Sequence, residues 1–237
     1  MSGIQHERTL TRIKAELIDR YKDEPSGDVR AAEEFTVYLD MWRSNVPLKY
    51  WEREVSDITD SVVRQKIEKY VEKMDQAIAE GIGVYFHGNQ GTGKTLAACL
   101  ILKEALRRGH KVYFTMLTEV LEKYCDGRYD RDARAVFADQ ILGADILVLD
   151  DIDKGYISDK TTFIDSAYDY VLRTRTNNNL PIIFTSNMKK EQFTTQKGLS
   201  FGSSMFSLLT EHTKDVHVDG KDRRKGIKSR LEEFFDE

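Results

Sequence analysis

Gly88-Asn89-Gln90-Gly91-Thr92-Gly93-Lys94-Thr95 decides the reading of this chain. It fits G-x-x-x-x-G-K-[ST] at every position. Its glycines let the backbone curl until successive N–H groups point inward, which is the shape that holds phosphate oxygens. The apolar pattern from Lys94 to Arg108 reads as a helix, and the positive end of that helix adds to the attraction for an anion. Lys94 offers a point charge to β- and γ-phosphates, and Thr95 offers a hydroxyl to Mg²⁺. Ahead of the loop, Val84-Tyr85-Phe86 reads as a buried strand. Strand, loop and helix in that order are what phosphate binding requires, whereas an ordinary glycine-rich turn needs neither flank.

A second stretch answers to the first. Ile146-Leu147-Val148-Leu149 reads as a strand buried on both faces, and it runs straight into Asp150 and Asp151. Carboxylates half-buried without a positive partner are costly. A nucleotide-bound Mg²⁺ beside the loop supplies that partner, so Asp150 is the expected metal residue, acting directly or through a metal-bound water. Asp151 is placed to polarise an attacking water. Pro181 to Thr185 reads as a third strand, followed by Ser186 and Asn187. Asn187 is a candidate to hold that water or touch the γ-phosphate. These residues imply a nucleoside triphosphate with Mg²⁺.

Around these stretches, strands alternate with helices. Lys111 to Thr115 reads as a strand, Leu117 to Cys125 as a helix, and Gly127 to Arg134 as a charged loop or helix start. Ser158 can cap a helix with the stripe Phe163, Ile164, Ala167, Tyr168, Val171 and Leu172. Val216 to Val218 reads as a short strand. This alternation predicts an α/β domain on a mostly parallel sheet. Upstream, three helical stripes appear. The first is Leu10, Ile13, Leu17, Ile18 and Tyr21; the second is Ala32, Phe35, Leu39 and Trp42. The third is Val63, Ile67, Tyr70, Val71, Met74 and Ile78, ended by Gly81.

Composition narrows the class. The chain has 237 residues, 32% charged and 40% apolar, with net charge -4. That fits a soluble globular protein and excludes a generally basic nucleic-acid binder, so any such contact must be a local patch. Cys99 and Cys125 lack metal-ligand spacing and read as reduced thiols. The polar start of the chain shows no signal peptide, and the longest apolar run, Leu96 to Leu102, is too short to span a bilayer. A cytoplasmic protein without membrane contact is the expectation.

GNQGTGKTLAA, ILVLDDID and IIFTSN together resemble the Walker A, Walker B and sensor 1 segments of AAA+ ATPases of the DnaC/IstB type. That family comprises helicase loaders and transposition helper ATPases. Val46 to Trp51 resembles the family's lead-in, and Ser207 to Arg224 its closing motif. The likeness covers roughly residues 46 to 225. It implies a P-loop NTPase (AAA+) parallel sheet flanked by helices over 46–237, with a small helical arm over 1–45. Arg223 matches the family's sensor-2 arginine, with Arg224 the alternate. Arg175 aligns with a family arginine near the end of the helix after Walker B; its plainer reading is a helix-end cation complementing the dipole. Two positions depart from the pattern. The closing motif usually carries an arginine finger where this chain has Leu208, and Asp151 stands where many AAA+ proteins have Glu.

The resemblance implies an ATP-binding helicase loader that helps place a hexameric replicative helicase on single-stranded DNA, with slow or partner-dependent hydrolysis. A transposition helper assembling on duplex DNA is the alternative, and a module that binds ATP without turning it over is the third. Either of the first two allows a homo-oligomer. Lys123, Tyr124, Arg128, Tyr129 and Arg131 interleave cations with stacking rings and form the candidate DNA surface, against the plainer reading of a solvated charged loop. The arm's amphipathic faces either dock on a helicase or close the core.

Overall fold

Ile146 and Val148 enter one hydrophobic cluster while Leu147 and Leu149 enter another, so β3 (Ile146–Asp150) is buried on both faces, as its unbroken apolar run predicts. The computed structural model describes residues 2–153, 161–195, 202–220 and 222. Its sheet has five parallel strands in the order β2-β3-β4-β1-β5. The others are β1 (Gly83–His87), β2 (Val112–Met116), β4 (Ile182–Ser186) and β5 (Thr213–His217). The α/β class and the parallel sheet flanked by helices are both present.

One face is covered by α5 (Lys94–Arg107), which is buried along most of its length. Outside α5 lie α1 (Ser2–Tyr21), α2 (Gly27–Arg43), α3 (Ser61–Glu72) and α4 (Met74–Ala79). Leu10, Ile13 and Leu17 of α1 and Val37, Tyr38 and Met41 of α2 share a cluster with Val84, Phe86 and the α5 core. The opposite face is covered by α6 (Leu117–Asp126), α7 (Arg131–Phe137) with a π-helical turn at Ala138–Leu142, and α8 (Thr161–Asn177). The short α9 (Gln192–Thr195) and α10 (Gly202–His212) complete it.

Several local expectations shift. The third upstream helix is two, broken at Lys73, and the buried stripe slips from Ile78 to Ala77 across the break. On α2 the buried residues are Gly27, Ala31, Val37, Tyr38 and Met41; Phe35 and Leu39 are half-buried, Ala32 is exposed and Trp42 is 39% exposed. That helix is wedged between α1 and α5, so its inward face is wider than one stripe. Trp42 instead helps to cover His6, whose ring lies 6.0 Å from Trp42 and 5.5 Å from the buried Trp51. The charged stretch after Gly127 does start a helix, capped by Asp130, whose carboxylate accepts from the N–H groups of Asp132 and Ala133. β5 begins earlier than its apolar residues suggest. Ser158 lies outside the described residues.

Edges of the sheet are handled differently. At β2, Phe114 donates its N–H to Ser44 O at 2.9 Å and accepts from Asn45 Nδ2 at 3.0 Å, so the end of α2 closes that edge. At β5 the outward residues are polar, Lys214, Asp215 and His217, which suits an open edge.

Candidate functional site

Parallel pairing brings one end of every strand to one rim. His87 pairs with Ser186 and His217, Met116 pairs with Asp150, and Leu149 pairs with Phe184. The loop Gly88–Gly93 leaves this rim from β1, where the strand order reverses direction, the usual place for a ligand in such sheets. Gly88 has φ 145 and Gly93 φ 108. A Cβ on Gly88 would lie 2.2 Å from Val218 O, so the closing strand's extension presses directly on the loop. Within the loop, the Thr92 hydroxyl donates to Asn89 O at 3.0 Å, and Gln90 stands in solvent.

Lys94 is buried at 5% exposure. Its Nζ donates to Gly88 O at 2.9 Å, Asn89 O at 2.7 Å and Asn187 Oδ1 at 2.9 Å. An ammonium so aimed can exchange neutral carbonyls for charged phosphate oxygens, which make stronger bonds. Next to it, Thr95 Oγ1 donates to Asp150 Oδ1 at 2.9 Å. A hydroxyl and a carboxylate side by side form an oxygen-only donor pair of the kind Mg²⁺ takes, with phosphate oxygens and waters to fill the rest. The cradle and this pair both fit a Mg²⁺-nucleotide.

Two residues that the sequence reading passed over organise this centre. Thr185 Oγ1, fully buried, donates to Asp150 Oδ1 at 2.5 Å and accepts from Asp151 N at 2.9 Å. Asp151 itself has φ 52, a left-handed turn that an aspartate tolerates better than most residues, at the point where the chain leaves β3. Asp153 accepts from Ser186 Oγ at 2.9 Å, Asn187 N at 3.0 Å and Asn187 Nδ2 at 2.9 Å. The amide of Asn187 is thereby fixed, with Oδ1 toward Lys94 and one Nδ2 hydrogen left over for a phosphate oxygen or a water. The signal for Asp153 was its place in ILVLDDID; for Thr185 it was the polar residue closing an apolar run.

Other candidates fall outside this centre. Arg223 and Arg224 lie outside the described residues. The preceding Asp222 sits against the loop: a Cβ on Gly91 would be 1.8 Å from its Oδ1. Leu208, half-buried on α10, packs on the second cluster with Leu209 and Met205. Arg175 is fully buried and donates from Nη1 to the carbonyls of Ile141, Leu142 and Ala144, and from Nη2 to Pro181 O. It therefore clamps the entries to β3 and β4, at the opposite end of the sheet, rather than complementing the dipole of its own helix. Burial pulls its pKa down to about 9, which leaves it charged at neutral pH.

The five candidate DNA residues do not present one face. Lys123 donates to Gln140 at 3.3 Å and lies over the Tyr113 ring, and Tyr124 is half-buried against Phe137 and Tyr170. Arg128, Tyr129 and Arg131 stand in solvent, Tyr129 at 89% exposure. Among the described residues no helix is long and apolar enough to cross a membrane.

Among curated proteins, none matches the chain in sequence. Among solved structures, it is similar to the DnaC helicase loader at 21% identity and TM-score 0.60, over 73% of this chain and all of that one. It is similar to DnaI at 22% identity and TM-score 0.59, over 76% and 94%. A replication initiator, DnaA bound to AMPPCP and single-stranded DNA, shares the fold at 20% identity and TM-score 0.58, over 80% of this chain and 56% of that one. At these identities the likeness is one of fold, that of a P-loop AAA+ domain. The family model described as IstB-like ATP binding protein matches residues 44–231, and the chain belongs to that family.

Proposed function

We propose that the chain is an ATP-dependent loader that helps place a hexameric replicative helicase on single-stranded DNA, hydrolysing ATP slowly or only with a partner. One observation carries the nucleotide part: Lys94, Thr95, Asp150 and Asn187 meet at a single rim, joined by bonds of 2.9 Å. Gly88 to Gly93 would wrap the phosphates, with Lys94 on the β- and γ-oxygens and Arg223 closing from the segment after Asp222. Thr95 and Asp150 would hold Mg²⁺, which when bound draws charge off the phosphates. Asp151 would take the proton side of the attacking water, and Asn187 would orient that water or the γ-phosphate.

Leu208 shapes the rest of the reading. An arginine finger supplied by a neighbour can be worth about 10³–10⁵ in rate. Leucine cannot supply it, so turnover by this chain alone should be slow, and bound nucleotide serves mainly to set a surface. Arg128, Tyr129 and Arg131 offer that surface to single-stranded DNA, with Lys123 and Tyr124 as their packed base. On the arm, Ile4, Ile18 and Val29 are each at least half exposed and offer apolar surface to a helicase.

The family to which the chain belongs favours one second reading, a transposition helper on duplex DNA. A helper filament would repeat the finger at each joint, which Leu208 weakens. Size-exclusion with a candidate helicase and a candidate transposase, with and without ATP and DNA, separates the two. Co-migration with a helicase hexamer is expected; ATP-dependent assembly on duplex DNA with no helicase complex would overturn the loader reading.

A further inference from the structure

A groove of about 520 Å³ opens between α3, α4 and the edge strand β5, away from the phosphate loop's chemistry. Its floor is apolar: Ile67, Ala77, Ile82, Val84, Phe86 and Val216. Its rim is not. Lys66, Lys69 and Lys73 recur at three- and four-residue spacing along α3 and its cap, and Lys214 faces them from β5. All four are exposed, and among the described residues none has an ion pair. Four ammonium groups around an apolar trough repel one another, and the arrangement suits an occupant that is both acidic and apolar.

The chain contains one such segment. Residues 231–237 read Leu-Glu-Glu-Phe-Phe-Asp-Glu: four carboxylates, with Leu231, Phe234 and Phe235 at the spacing of one helical face. We propose that this segment docks in the groove of its own chain, placing Leu231, Phe234 and Phe235 on the floor and its carboxylates against Lys66, Lys69, Lys73 and Lys214. Reach permits it. From Asp222, which touches the phosphate loop, nine residues lead to Leu231 and extend up to about 30 Å. The whole of β5 is only about 17 Å long. A short tether also gives an effective concentration of about millimolar, enough for a seven-residue segment that would bind weakly if free. Docking would fix the far end of the stretch that carries Arg223, whose near end is Asp222 beside Gly91.

Zero-length carbodiimide coupling of the full chain, with peptide mapping, tests this. Crosslinks from Lys66, Lys69, Lys73 or Lys214 to Glu232, Glu233, Asp236 or Glu237 are expected within the monomer, with a yield that does not change as protein is diluted a hundredfold. Lys69→Glu with Lys73→Glu should abolish docking. Adding Glu232→Lys and Glu233→Lys should restore it, read as coupling between the swapped positions. Phe234→Ser with Phe235→Ser should reduce coupling while leaving the melting temperature of the domain in place. Coupling found only between two chains, rising with concentration, would show that a second copy fills the groove and would overturn the proposal. So would no coupling at all, or coupling indifferent to charge reversal.

Discussion

Replacing Thr185 by Val removes one hydroxyl and almost nothing else. That hydroxyl is fully buried, donates to Asp150 Oδ1 at 2.5 Å and accepts from Asp151 N at 2.9 Å. Val keeps the shape and takes the Thr185 acceptor from the part-buried Asp151 N–H, a loss of about 1 kcal/mol. Asp150 also loses a bond to its charged oxygen, though it keeps the one from Thr95. The two losses share a centre and are not additive, so a total of about 2–3 kcal/mol is expected. For a chain of this size, each kcal/mol moves the melting temperature by about 2–4 °C, giving a fall of roughly 5–10 °C. Thr185→Ser retains both bonds and loses one buried methyl, about 1 kcal/mol. Melting is measured in chelator without nucleotide, so that ligand binding adds nothing. Calorimetric titration with ATP and Mg²⁺ then reads the aim of Asp150, and the Val variant should bind more weakly than the Ser variant. Equal melting and equal affinity in the two variants would refute the view that this hydroxyl sets the acidic turn.

Lys94→Ala should abolish ATP binding by calorimetry, and unchanged affinity would refute the cradle assignment. Leu208→Arg should raise ATPase turnover if subunits assemble in the family's manner, while lowering stability by about 1–2 kcal/mol through lost packing on the second cluster. Unchanged turnover would mean that this position is not at an active interface. Arg175→Leu strips four carbonyls of a buried donor and should cost more than about 4 kcal/mol, seen as loss of soluble protein. Arg175→Lys keeps the charge with fewer donors and should melt in between. Glu54 is partly desolvated, yet Arg107 and Lys103 hold its pKa below the ordinary value near 4.5. Because the folded value is the lower one, its contribution is present above about pH 4.5 and is lost as pH falls further. Glu54→Gln should therefore flatten the acid limb of a stability–pH profile.

What could be read from the sequence was what local chemistry fixes. Gly88 to Thr95 fits the phosphate-loop pattern at every position and lies between a strand and a helix, and Ile146 to Leu149 reads as a strand buried on both faces. β1, β3 and β4 follow from their apolar runs to within a residue or two. The roles of Thr185 and Asp153 could not be read that way, since they exist only because β4 lies between β1 and β3. Strand order is set by the whole sheet, and no window of sequence contains it. Arg175 shows the same limit: at a helix end it looks like a dipole partner, and only the packing of α8 over the starts of β3 and β4 makes it a clamp. The helix over Gly202–His212 escaped assignment because its two fully buried anchors, Met205 and Leu209, are set among three serines and a threonine, residues of weak helical preference.

The division at residue 46 is a division of sequence resemblance, and the physical core crosses it. Met41 and Val46 share a cluster with Leu96, Ala97 and Phe86, and Trp51 donates its Nε1–H to Val46 O at 2.8 Å. Further along α5, the buried Lys103 donates to Arg53 O at 3.0 Å and Glu54 Oε1 at 2.6 Å and lies over the Tyr38 ring of α2. Burial pulls the Lys103 pKa down while Glu54 pulls it up, so the carboxylate is what keeps that ammonium tolerable there. The same helix begins at Lys94 in the phosphate cradle. Fourteen residues of α-helix, about 21 Å, thus have the candidate nucleotide site at one end and the arm's inner face at the other. Pulling α1 and α2 away would therefore work against the packing that seats α5.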